Sequence, residues 1–253
     1  MDQEQLQRMY TDQGIQISLG AVPDSAQPLF YTQVPGGDAA YAIWQQLRAL
    51  TEQTGYWPLL MGADGLWFAS ALAELDTQHW LAQAKERKGE QYFAERVEML
   101  PDPDDEVDEW EEYAEELGLE SPEFNPPSGL LSTRDVLSRE PLVQVTVVLL
   151  PTRQGFEAAA WLGFGGWNEC PDPVWQVAIQ QDWCQRYGAE PVVMGHDVLE
   201  MRLSRPPLDE AAALALAREQ YLFCCDIVDQ GVMTIANLQQ SLLGSELWYF
   251  WWD

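Results

Sequence analysis

The chain has 253 residues, of which 47 % are hydrophobic and twelve are Trp. This length suits one large domain or two small ones, and the apolar content excludes wholesale disorder, because disordered chains lack the apolar area that offsets chain entropy. The formal net charge of −28, from 41 acidic and 13 basic side chains, argues against direct binding to nucleic acid or to an anionic membrane, since both need patches of Lys and Arg.

Residues 1–97 are expected to form an N-terminal half of strands and helices. The first residues are polar and acidic, without the basic and apolar stretches of a signal peptide. Residues 15–19 alternate apolar and polar side chains, which predicts a half-buried strand. Asp38 is the predicted N-cap of a helix that ends at Gly55. Apolar runs and helical spacing predict three further elements: a buried strand at 56–61, a strand at 66–68 and a helical stretch at 71–96.

Residues 98–129 form an acidic linker. Residues 97–129 carry 13 acidic side chains and no basic one, nearly half of the net charge. Within the linker, prolines bracket an acidic run with apolar residues at helical spacing, which predicts a short helix. The linker is either a solvated tether or a partner-binding segment. The residues of the second interpretation are Glu109, Trp110, Glu112, Tyr113 and Glu116.

Residues 130–253 form the C-terminal domain. Its predicted elements are strands at 143–150, 158–162, 191–194, 198–203 and 247–252, and helices at 174–187, 209–223 and 234–243. Gly188 and Asp209 are a predicted C-cap and N-cap. Five consecutive aromatic residues, 248–252, would cause aggregation if they were exposed, which predicts a strand that is covered on both faces.

One pattern occurs in both halves. Gly-x-x-Pro-x-x-Met-Gly-x-Asp begins at Gly55 and again at Gly188. It reflects either common turn residues or a duplication, and duplicated units would pack side by side and share one sheet. The predicted fold class is α/β with an α+β tendency, a mixed β-sheet with flanking helices in two similar halves.

The weak candidates for catalysis are His196, Asp197, Asp226 and Asp229. His is the usual acid or base at neutral pH, but a Gly-x-Ser-x-Gly nucleophile elbow is missing. The first copy of the repeated pattern has Asp64 where the second has Asp197, which favours a turn role for both. Asp226 and Asp229 either share a helix face or cap a turn.

The candidate ligand-binding residues lie in a glycine-rich loop, Gly165, Gly166, Trp167 and Asn168. Backbone N–H groups of such loops can bind phosphate, but this loop lacks the Lys and Ser/Thr of a P-loop. The alternative is a rigid turn that lines a pocket. No Cys-x-x-Cys or His-x-x-x-His spacing occurs in the sequence, so we expect no metal and no cofactor, and the four cysteines are expected to be reduced thiols.

Several unusual stretches occur together in order. They are residues 161–163, 165–171, 187–190, 214–221, 224–228 and 248–253. Over about residues 143–253 the chain resembles an uncharacterised bacterial domain-of-unknown-function family, with a Gly-Gly-Trp-Asn-x-Cys-Pro motif and an aromatic ending. The resemblance implies a cytoplasmic bacterial protein. It carries no activity, so it assigns no catalytic residue.

Three functions are compatible with these observations. The leading hypothesis is a non-enzymatic acidic protein-binding module, an immunity- or antitoxin-like partner of a basic protein, since complementary charge speeds encounter. The second is an enzyme or small-ligand binder with a pocket near Trp167, Asn168, His196 and Asp226. The third is a nucleic-acid mimic, which needs carboxylates at phosphate-like spacing on a rigid face. The expected partner is a protein, with no nucleic acid or membrane bound.

Overall fold

The computed structural model describes residues 1–23, 25, 28–101 and 128–253. The strands are β1 (Gly20–Ala21), β2 (Phe30–Val34), β3 (Trp57–Leu60), β4 (Val145–Leu150), β5 (Glu190–Met194), β6 (Val198–Arg202) and β7 (Leu247–Trp251). The α-helices are α1 (Gln3–Asp12), α2 (Asp38–Ala49), α3 (Thr51–Thr54), α4 (Thr77–Ala84), α5 (Gly89–Ala94), α6 (Ala158–Leu162), α7 (Pro173–Tyr187), α8 (Glu210–Phe223) and α9 (Ile235–Leu242).

The strands form one mixed sheet in the order β1-β2-β4-β3-β5-β6-β7. Neighbouring strands are antiparallel except β3 and β5, which are parallel and join the two sequence halves. Strands β3 and β4 are buried along their whole length, as their apolar sequences predict. Helices flank the sheet, which confirms the predicted α/β class with a mixed sheet.

Most of the predicted helix ends have the expected caps. Gly188 follows α7 in the left-handed conformation, which glycine adopts without steric cost. The carboxylate of Asp209 accepts a backbone N–H in the first turn of α8. The prediction for Asp38 is wrong, because Gly37 occupies the N-cap of α2 and the Asp38 carboxylate binds Arg134 at 2.6 Å.

The N-terminal segment contains a helix that is not predicted from the sequence, and it lacks the predicted strand at 15–19. Residues 3–12 form α1, which begins at an Asp2 capping box and buries Leu6. Residues 15–19 form no strand, because a side chain of α1 takes their backbone groups. The Gln7 side chain accepts the N–H of Leu19 at 2.8 Å and donates to the carbonyl of Ile17 at 2.7 Å. A period-2 pattern therefore occurs here in a segment that forms no strand.

Two other predicted strands are also wrong. Residues 158–162 form α6, an Ala-rich turn of helix that ends at Gly163 in the left-handed conformation. Residues 66–68 lie in a turn that leads into the 3₁₀-helix Ala69–Glu74. The predicted helical stretch at 71–96 is divided among that 3₁₀-helix, α4 and α5.

An aromatic core lies between α7 and β7. The Trp183 ring is stacked on Phe250 with the centroids 5.6 Å apart, and it meets Trp248 edge-on at 5.3 Å. Trp248 and Phe250 are fully buried, whereas Tyr249 and Trp251 on the other face are half-buried. β7 is the last strand in the sheet order. It is therefore an edge strand, and where the sequence predicts a strand covered on both faces, one face is buried and the other is covered only in part.

Candidate functional site

Strands β3, β5 and β7 run in the same direction, so their carboxyl ends meet at one edge of the sheet. In open α/β sheets, ligands commonly bind outside this edge. The segments that follow these strands are the turn Gly62–Asp64, residues 195–197 and residues 252–253.

The side chain of His196 lies between two tryptophans at this edge. Its ring is stacked on Trp167 with the centroids 5.7 Å apart, and it meets Trp67 edge-on at 5.9 Å. The Phe164 ring meets both indoles edge-on, with its centroid 6.5 Å from that of Trp167 and 6.3 Å from that of Trp67. His196 is exposed and the two indoles are half-buried, so aromatic rings face solvent here. We call these four residues the histidine–tryptophan cluster.

Asp64 connects the turns that follow β3 and β5. Its carboxylate accepts the backbone N–H of His196 at 2.9 Å, which fixes the position of that residue. The Asp197 carbonyl accepts the N–H of Trp252 at 3.1 Å. Sequence reasoning did not include Asp64 or Trp67 in the site. The repeated pattern, which aligns Asp64 with Asp197, was the available signal for Asp64.

Gly165 and Gly166 shape a tight turn, with φ values of +101° and +84°. A Cβ on Gly165 would lie 1.9 Å from the Pro171 carbonyl oxygen. The N–H of Gly166 donates to the Cys170 carbonyl at 3.1 Å, so this group closes the loop. The geometry fits the rigid-turn interpretation, with Trp167 carried by the turn into the cluster.

Asn168 and Asp226 both bind the backbone of Asp253. The Asn168 side-chain amide donates to the Asp253 carbonyl at 2.6 Å, and the Asp253 N–H donates to the Asp226 carboxylate at 2.9 Å. Asp229 is exposed in the π-helical turn Val228–Val232. Asn168 and Asp226 thus meet at the same sheet edge as the histidine–tryptophan cluster.

The four cysteines form no disulfide, and their thiols are weak nucleophiles. Burial raises the pKa of the Cys170 thiol to about 12 and that of Cys225 to about 11. Burial also raises the pKa values of Cys184 and Cys224. Protonated thiols are poor nucleophiles at neutral pH. Over the part of the chain that the structure describes, no group of three or more His, Cys, Asp or Glu side chains is placed to hold a metal ion.

The linker residues predicted to bind a partner lie outside the described residues. They are Glu109, Trp110, Glu112, Tyr113 and Glu116. Their role stays a prediction from the sequence.

The family described as Domain of unknown function (DUF4253) matches residues 146–253. This match supports the resemblance of this part of the chain to an uncharacterised family, and it brings no activity. No curated protein and no solved structure matches the chain. Among the described helices, none combines the length and the apolar character needed to cross a membrane.

Proposed function

We propose that this chain is a non-enzymatic protein-binding module that recognises a basic partner protein in the bacterial cytoplasm. The observation that carries the proposal is the distribution of charge. Acidic side chains outnumber basic ones by 28, and residues 97–129 alone contribute 13 of that excess. A concentrated charge of one sign raises the encounter rate with an oppositely charged partner and discriminates against partners of like charge.

Two carboxylates at the carboxyl ends of the strands favour binding over catalysis, because they are engaged in holding the backbone. The Asp64 carboxylate binds the N–H of His196, and the Asp226 carboxylate binds the N–H of Asp253. The thiols are kept protonated by burial. A catalytic acid or nucleophile would need such groups to be available to a substrate.

A pull-down from the native host tests the proposal. The intact protein is compared with a variant in which the nine Asp and Glu residues of 104–116 are changed to Asn and Gln. A matched control carries nine such changes at exposed carboxylates elsewhere, including Glu4, Glu86 and Glu246. We expect a basic protein that is retained by the intact chain and the control and is lost with the linker variant.

The other results of the pull-down are equally informative. If all three versions retain the same proteins, or none, the linker is a tether and the proposal is wrong. If the retained protein is a nucleic-acid-binding protein that nucleic acid displaces, the nucleic-acid mimic is supported instead.

A small-ligand binder is the second candidate, favoured by the half-buried indole rings around His196 at the carboxyl ends of the strands. A metabolite screen by thermal shift would compare the intact protein with Trp167→Ala, after circular dichroism shows that the variant is folded. A compound that raises the Tm of the intact protein but not of the variant would support this candidate. Equal shifts for both proteins would exclude a site at the histidine–tryptophan cluster.

A further inference from the structure

The outer edge of β7 presents backbone groups that have no hydrogen-bond partner in the part of the chain that the structure describes. Leu203 donates to the Glu246 carbonyl at 2.8 Å, and Trp252 donates to the Asp197 carbonyl at 3.1 Å. In the antiparallel register these two bonds determine which residues of β7 direct their backbone N–H and carbonyl groups towards β6. The alternate residues of β7, which include Tyr249 and Trp251, direct their N–H groups away from the sheet. Neither N–H has an acceptor among the described residues.

The neighbouring carbonyl groups show that this edge is only partly closed. The Trp251 carbonyl accepts from the Cys224 thiol at 2.9 Å, and the Leu247 carbonyl accepts from the Ser245 hydroxyl at 2.6 Å. The carbonyl of Tyr249 points outward between them and has no donor among the described residues. The open part of the edge thus offers donor and acceptor groups at the spacing that an added strand uses.

A cavity of about 240 Å³ opens beside this edge. Its walls come from β7, the π-helical turn and α9, and they are mainly apolar, with Ile227, Val232, Leu238, Leu242, Leu247 and Trp251 among the lining residues. Sites for drug-sized molecules commonly occupy roughly 300–1,000 Å³. The smaller volume here suits a single large apolar side chain.

Two buried donors in the cavity wall lack an acceptor in the described part of the chain. The Trp248 indole N–H and the Gln220 side-chain N–H have no hydrogen-bond partner within the described residues, and both residues line the cavity. Trp248 and Gln220 are each 1 % exposed. Buried donors are normally paired. An oxygen atom on a bound chain would supply the missing acceptor.

The negative charge at the cavity favours a basic segment as its occupant over a second copy of this chain. Asp226 is the charged residue among those lining the cavity. The chain as a whole carries a formal net charge of −28, which favours a basic occupant. A second copy of the chain would bring another −28 charges to the same place, which disfavours edge-to-edge pairing.

We propose that the β7 edge and its cavity bind an extended segment of the basic partner protein, which adds a strand to the sheet and inserts one large apolar side chain into the cavity. Lys and Arg residues on both sides of that side chain would be attracted by the Asp226 carboxylate and by the net negative charge of the chain. Backbone hydrogen bonds would provide affinity, and the cavity would provide specificity, as in other cases of strand addition. This inference rests on the proposed function and assigns the surface that performs it.

Selection from a random peptide display library on the full chain tests the inference. We expect enrichment of peptides with a large apolar anchor flanked by Lys or Arg. Replacing the anchor by Ala should weaken binding roughly tenfold or more. N-methylation along the peptide should abolish binding at every second position only, because alternate N–H groups face β7.

A pair of variants on α9 locates the site. Ser241→Trp fills the cavity from the helix, whereas the control Gln240→Trp adds the same side chain at an exposed position outside the lining. We expect the selected peptides to lose binding to the first variant and to keep binding to the second. The N-methylation pattern needs no protein variant, so it decides the question even if Ser241→Trp does not fold.

Other outcomes would overturn the inference. Enriched peptides without basic residues, or binding that is indifferent to both N-methylation and Ser241→Trp, would show that the edge is not the site. Peptide binding that appears only after Trp110→Ala would show that the chain's own linker occupies the groove. A basic partner still retained by Ser241→Trp in the pull-down would keep the proposed function and reject this surface alone.

Discussion

Leu60 of β3 faces Val193 of β5 across the parallel pair at the centre of the sheet. These residues are 133 positions apart, which is the spacing of the repeated pattern. Gly55 and Gly188, at the same spacing, both follow a helix in the left-handed conformation. The parallel register therefore sets the two copies of the pattern side by side. The chain continues differently afterwards, because β5 leads into an antiparallel strand and β3 leads into turns.

The pH dependence of stability should report on Glu200. Its carboxylate is 2 % exposed and accepts the N–H groups of Leu131 and Ser132 at 2.9 and 2.7 Å. Burial raises its pKa above the ordinary value of 4.5. The folded state then holds a proton that the unfolded state has released, so stability rises as the pH falls from above the raised pKa towards 4.5.

Denaturant unfolding of Glu200→Gln and of the intact protein across this pH range measures the effect. As the pH falls, the free energy of unfolding should rise less in the variant than in the intact protein. The difference should be at most about 1.4 kcal/mol for each pH unit. Glu246→Gln, which removes an exposed carboxylate, controls for the general relief of negative charge. Equal slopes for both variants would show that Glu200 does not titrate in this window.

An ion-pair network ties α2 to the second half of the sheet. Glu190 on β5 binds Arg48 at 2.6 Å and Arg202 at 3.1 Å. Glu190→Gln should lower the free energy of unfolding by about 1–2 kcal/mol, because the network is partly exposed and solvent screens it. In contrast, Glu52→Gln, which disrupts the exposed 3.8 Å pair with Arg153, should cost less than about 0.5 kcal/mol. Equal losses in urea unfolding would contradict this difference.

The glycine-rich loop should tolerate a side chain at only one of two adjacent positions. Gly165→Ala would drive a Cβ into the Pro171 carbonyl, and we expect it to cost more than about 3 kcal/mol. At Gly166 the nearest atoms would be 3.8 Å away, so Gly166→Ala should cost only the strain of a positive φ, about 1–2 kcal/mol. Thermal unfolding of the two variants measures the difference, and similar Tm values would reject the close approach.

Gln220 should show opposite effects on stability and binding. Its side-chain N–H is buried and has no partner among the described residues, so Gln220→Met should leave the free energy of unfolding unchanged or raise it by up to about 1 kcal/mol. The same change should weaken the peptides selected on the β7 edge. The control Gln176→Met removes a buried amide that is paired with Gln180 and Cys170, and it should cost about 1–3 kcal/mol. Calorimetry and peptide titration together test both readouts.

The sequence predicted most of the sheet and the long helices, because their apolar patterns are set by burial. It did not predict that β7 lies at an edge, since alternation within a strand says nothing about which strands adjoin it. It placed Trp167 and His196 in one candidate pocket, and the structure puts their rings in contact. Trp67 could not be found, because it comes from a turn that resembled a strand and reaches the cluster from far away in the sequence.

The parallel pair of β3 and β5 also determines when this protein can fold. Strand β2 lacks a neighbour until the ribosome has made β4, residues 145–150, and β3 lacks its second neighbour until residues 190–194 have been made. Such a topology has high contact order and folds slowly. Until then, apolar strands of the first half have unpaired edges, and such strands are prone to associate with other chains. The strong negative charge would make incompletely synthesised chains repel one another.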